Sequence, residues 1–235
     1  MSQSQITLTP ERFAQGMTFE QYLDFIGSPE NLRREGSGGA ARRDWTAYLR
    51  ERYQRTRLSE AQVAAMQWLA SQPNGPAKIL MIAEEWSSDC RRDLPVVPRL
   101  AEVGGAELRI FTRDGESFGA GPRPEPSAPN ADLMTAFLRR RDGETFQSIP
   151  VVAFFSRGFR LLYHYLEFPA VYHKDRIRAH QQAPRARESA EEAQKRSGAE
   201  FAAMLESPML DVWADAAVAE MISLLYERLV VGSLE

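Results

Sequence analysis

The 235-residue chain has one cysteine, Cys90, and three histidines, His164, His173 and His180. A lone cysteine excludes an internal disulfide and fits a reducing compartment, so the expected location is the cytoplasm. The histidines have neither helical metal-ligand spacing nor a neighbouring cysteine, so no metal site is expected. No apolar run approaches the ~20 residues needed to span a bilayer, and no membrane association is expected. Met1 to Pro10 lacks the basic-then-apolar order of a secretion signal. Cationic excess is also missing. With a formal charge of −3, the chain has no general footprint for nucleic acid. Arginines near 139–141 and 176–187 are read as solvated helix faces. Glycine-rich stretches at Gly36–Gly39 and Gly104-Gly105 lack the surroundings of a phosphate loop, and no cofactor is called for. What remains, 43% hydrophobic and 26% charged residues, is the composition of a globular protein.

The first third reads as helices. Thr9-Pro10-Glu11 and Ser28-Pro29-Glu30 combine a capping hydroxyl, a first-turn proline and an acid near the positive dipole end. Thr18 with Gln21 and Ser59 with Gln62 have capping-box spacing. Glu35 to Ala40 is a Gly/Ser break, and Trp45 to Tyr53 resumes helical spacing. After the turn cluster at 72–76, Lys78 to Ala83 is a short apolar run, read as a buried strand. A helix from about Ser88 to Val103 and a second strand, Glu107 to Thr112, complete a strand–helix–strand unit with parallel pairing. Gly119 to Asn130 holds four prolines and two glycines, an irregular insertion. Asp132 to Arg141 is expected as helix. Val151 to Phe155 and Phe159 to Leu166 are expected as two strands joined at Ser156-Arg157-Gly158. Residues from about 170 to 235 read as helical, with a stripe from Leu210 to Leu229 that suits core packing better than a dimer seam. The closing Gly-Ser-Leu-Glu carries no assigned role.

One segment carries chemistry. Trp86-Ser87-Ser88-Asp89-Cys90 follows a strand and opens a helix; Pro95 lies five residues beyond Cys90, Pro150 precedes a strand, and Gly158 lies eight residues past Pro150. In this order and context, the chain resembles the thioredoxin superfamily over roughly residues 60–168. Within it the chain looks like a bacterial thioredoxin-like subgroup, with Asp114 after the second strand as a further shared feature. The resemblance implies an α/β thioredoxin-like fold, a central mixed sheet flanked by helices, with helical extensions at both ends. The expected organisation is an N-terminal extension at 1–57, the thioredoxin-like domain at 58–168 and a C-terminal extension at 169–235 packed on the core. It also implies a cis bond at Ile149-Pro150 and a peptide-binding groove formed by Trp86, Ser88, Asp89, Ile149 and Pro150.

The catalytic positions of the family fall on Ser87 and Cys90. The first motif sulfur normally sits at a helix N-terminus, where the dipole and free N–H groups favour thiolate. Here that position is Ser87, a hydroxyl that does not ionise near neutrality and has no nearby His or Lys as base. Ser87 is expected as a helix N-cap. Cys90 matches the normally shielded, resolving sulfur. Arg91 and Arg92 would lower its pKa by charge, and burial would raise it. The family's buried acid, six residues before the first motif position, is replaced by Met81. Glu84 and Glu85 are expected to be exposed at the strand end, pointing to opposite faces. Two functions follow: a redox-inactive or weakly active module that binds an extended peptide, a partner protein or a small thiol, or a single-thiol disulfide oxidoreductase that uses Cys90 with an external thiol as resolver. Neither fixes an oligomeric state.

Overall fold

Side-chain caps start many of the helices. In the computed structural model, which describes residues 8–232, Thr9 caps α1 (Pro10–Ala14), Thr18 caps α2 (Phe19–Ile26) and Ser28 caps α3 (Pro29–Arg33). Each hydroxyl accepts a first-turn N–H that would otherwise lack a partner. α4 (Thr46–Arg55) follows the Gly/Ser break, and Ser59 with Gln62 forms a complete capping box on α5 (Glu60–Ser71). Most of Met1–Pro10 and the last three residues of the closing Gly-Ser-Leu-Glu lie outside the described residues.

Strand β1 (Pro76–Ile82) leads into α6 (Ser88–Asp93) and α7 (Val96–Gly104). The single helix expected over this stretch is broken at Pro95, which has no N–H to continue the ladder. Gly105 closes α7 in the left-handed conformation, φ 61°, where a Cβ would be strained. β2 (Glu107–Phe111) then pairs parallel to β1, since a helical crossover returns the chain in the same direction. β5 (Val151–Ser156) pairs antiparallel to β1, and β6 (Leu161–Leu166) antiparallel to β5. The mixed sheet has the order β2-β1-β5-β6. Met17 makes a single antiparallel bridge with Ile110, which covers part of the β2 edge.

The insertion ends at α8 (Ala131–Ala136). The expected continuation of this helix to Arg141 is not found. Arg139–Arg141 forms strand β3, paired in a small hairpin with β4 (Glu144–Phe146). Asp142 and Gly143 between them both have positive φ, 53° and 85°. Asp-Gly is a strong two-residue hairpin signal, and it overrides the helical stripe that ends at Leu138.

The C-terminal segment forms α9 (Lys174–Gln182), α10 (Ala190–Glu206) and α11 (Met209–Tyr226). One core runs through all three parts of the chain. Tyr22, Leu23 and Ile26 of α2, the buried runs of β1 and β5, and Ala217, Met221 and Leu225 of α11 belong to it. Each such large apolar side chain contributes roughly 1.5–3 kcal/mol by leaving water. The architecture is a mixed α/β fold with a central mixed sheet flanked by helices. Among the described residues, no helix is long and apolar enough to cross a membrane.

Candidate functional site

The site is built on the turn between β1 and α6. Ser87 sits just outside α6 with extended backbone, and its Oγ accepts the N–H of Cys90 at 3.4 Å. Ser87 is an N-cap, the role its position implies. The Cys90 side chain lies one turn inside, with no exposed surface. Burial pushes its thiol pKa far up, and the Glu84 N–H and the Ser87 hydroxyl offset this only in part; Asp89 and Asp93 add to the rise. The two arginines beside it are occupied elsewhere. Arg91 donates to the carbonyls of Glu85 and Trp86 and stacks over the Trp45 ring at 3.9 Å. Arg92, wholly buried, holds Asp89 at 2.7 Å and both carboxylate oxygens of Asp93 at 2.7–2.8 Å. Neither makes Cys90 a thiolate. The expectation that their charge would lower its pKa is outweighed by desolvation.

Two buried charge clusters flank the sulfur. Behind the turn, Glu84 and Glu85 are 0% and 1% exposed. Their expected exposure is therefore corrected: both are drawn inward by cations from the N-terminal extension. Arg42 Nη1 lies 2.6 Å from Glu84 Oε2 and 3.0 Å from Glu85 Oε2, and Arg34 Nη2 lies 3.1 Å from Glu84 Oε1. Asn31 donates to Glu85 at 3.1 Å, and Glu84 Oε1 also accepts the backbone N–H groups of Arg113 and Asp114. Burial raises the Glu84 pKa, against the pull of Arg34 and Arg42. Met81, at the family's acid position, is buried in the apolar core.

On the other side Asp89, Arg92 and Asp93 join Tyr165 of β6, whose hydroxyl receives Arg92 Nη2 at 3.1 Å. Lys174 at the start of α9 closes on Asp89. Burial pushes the Asp93 carboxyl up to about 6, with Arg92 opposing the rise. Asp89 stands in the first turn of α6, and its charge is also taken up by these two cations.

An open groove of about 820 Å³ runs beside the turn. It is lined by Trp86, Ser87 and Asp89 of the turn, by residues 118–123 of the insertion, by 143–146 of the small hairpin and by Gln147 to Ile149. Trp86, Asp89 and Ile149 thus meet there. Ser88, in the first turn of α6, and the buried Pro150 do not line it. The Ile149–Pro150 peptide is cis. Unforeseen contributors are Phe118, Phe146 and Lys174, which are brought in by chain segments remote from the motif. Of the histidines, His164 lies on β6 with its pKa lowered by burial, His173 precedes α9 and His180 lies within it.

A thioredoxin family model matches residues 39–120, which run from the N-terminal extension through the motif turn and β2 into the insertion; Pro150 lies beyond the match. No curated protein matches the chain by sequence. Among solved structures, a crystal structure of a protein of unknown function from Pseudomonas aeruginosa is 14% identical, with 93% of this chain and 98% of that chain covered and a TM-score of 0.50. A crystal structure of an HIV epitope-scaffold is 15% identical over the same shares, with a TM-score of 0.49. The first likeness concerns the fold alone. The matched motif turn, the helix broken at Pro95 and the mixed sheet together support membership of the thioredoxin superfamily.

Proposed function

We propose that this protein is a thioredoxin-fold binding module without dithiol exchange, and that its groove takes an extended peptide segment of a partner protein. One observation carries the proposal: the only thiol, Cys90, is fully buried behind a serine N-cap, while an open groove lies beside the same turn. A nucleophile must be exposed and ionised, and Cys90 is neither. Groove binding needs shape and apolar surface, and Trp86 and Phe118 supply apolar surface to the groove. The lone cysteine fits a reducing compartment, so we place the module in the cytoplasm.

The test is the modification rate of Cys90 by an aromatic disulfide reagent across pH, native against denatured, alongside insulin disulfide reduction. The expected outcome is no catalysed reduction and modification only on unfolding. Rapid native modification, with an apparent pKa below the ordinary ~8.5, together with a reductase activity abolished by Cys90→Ser, would establish the single-thiol oxidoreductase instead.

A further inference from the structure

The residues after β2 do more than link it to the insertion. Asp114 Oδ2 accepts the indole N–H of Trp86 at 3.1 Å, and its Oδ1 accepts the N–H of Gly119 at 3.2 Å. A Cβ on Gly119 would come within 3.0 Å of that oxygen, so the insertion approaches as closely as a glycine permits. Arg113 Nε donates to Asp114 at 2.7 Å, and its Nη1 donates to the carbonyl of Gln147, a groove-lining residue, at 3.1 Å. The guanidinium lies 5.0 Å from the Trp86 ring and 5.2 Å from the Phe118 ring. Those rings meet edge-on at 5.3 Å. Arg113 and Asp114 are both buried, whereas Trp86 and Phe118 stay partly exposed to the groove.

The charges in this groove offer little selectivity. Asp89 is paired with Arg92 and Lys174, Glu167 with Arg139 and Arg113 with Asp114. Arg123 and Glu144 stand at the solvent-exposed rim, where a charge contributes little. The discriminating surface is aromatic: Trp86 and Phe118, with Phe146 presented from the hairpin.

From this geometry we propose that Trp86 and Phe118 form a cleft selecting a large apolar side chain of the bound peptide, with Arg113 and Asp114 as its positioning pair. The proposal rests on the peptide-binding reading above and specifies its ligand. Two fluorescein-labelled short extended peptides, identical except for a central Phe or Ser, are titrated by anisotropy against the full chain, Phe118→Ala and Asp114→Asn. The Phe peptide is expected to bind about tenfold tighter than the Ser peptide. Both substitutions should bring that ratio to about twofold or less. Phe118→Ala keeps the test decisive if Asp114→Asn does not fold. A purely structural role for Asp114 would lower the melting temperature and leave the ratio intact, which overturns its assignment as a positioning residue. Binding of both peptides with equal affinity to the parent overturns the apolar cleft but not the groove. Binding of neither overturns the groove reading and the cleft with it.

Discussion

The two charge clusters beside Cys90 are alike in content and different in origin. Behind the turn, Arg34 and Arg42 cross from the N-terminal extension to Glu84 and Glu85. On the far side, Arg92 binds Asp89 and Asp93 within its own helix, and Lys174 is the one cation that comes from afar. The first cluster clamps a remote segment onto the motif turn; the second is mainly an internal brace of α6, tied to β6 through Tyr165. Together they show how the fold tolerates charge beside a buried sulfur: nearly every buried ion near it already has a partner, so little field is left to ionise the thiol. A buried pair gains little over an apolar substitute, but losing one member is costly.

Arg42 is the member whose loss the first cluster tolerates least. Arg42→Met leaves Glu84 and Glu85 buried with fewer cations and is expected to cost about 3–5 kcal/mol in urea unfolding near neutral pH. Arg92→Met should cost less at pH 5 than at pH 8, because Asp93 then takes up a proton. Equal costs at both pH values would show that Asp93 takes up no proton when Arg92 is lost.

Asp93 supplies the next largest effect. Its pKa rises on folding from 3.8 to about 6, so the native state holds more protons between those values. Its contribution is therefore fully present below pH ~4 and lost as pH rises through ~6, a change of about 3 kcal/mol. Stability curves of the parent and Asp93→Asn should diverge over this window, with the fall absent from the variant. Parallel curves would show that Arg92 keeps Asp93 ionised throughout.

Ser87→Ala removes the cap of α6 and is expected to cost about 1 kcal/mol, read as a lower urea midpoint with an unchanged slope. A smaller loss would mean that the neighbouring clusters, rather than the cap, fix the start of α6. The exposed Arg50–Glu20 pair is the contrast to both clusters. Arg50→Gln should change stability by no more than about 0.5 kcal/mol, with the difference vanishing in high salt.

Legibility in the sequence followed range. The capping boxes at Thr18 and Ser59, the Ser87 cap and the buried strand β1 depend on residues a few positions apart, and they stand where the spacing puts them. The Arg139–Arg141 strand stands where helix is expected although its signal is local: Asp142-Gly143 outranks a helical stripe carried forward from Leu133. The burial of Glu84 and Glu85 had no such signal. Two acids at a strand end look solvated until Arg42 arrives from 42 residues upstream.

The helix starts, the apolar strands, the order of the motif and the replacement of its first sulfur by Ser87 are written along the chain, because each follows from neighbouring side chains and backbone geometry. The sealing of Cys90, the clamping of Glu84 and Glu85 and the meeting of Phe118 with Trp86 over Arg113 arise in the folded chain alone. Desolvation and long-range ion pairing depend on which remote segments close over a site, and the spacing of residues along the chain does not contain that information.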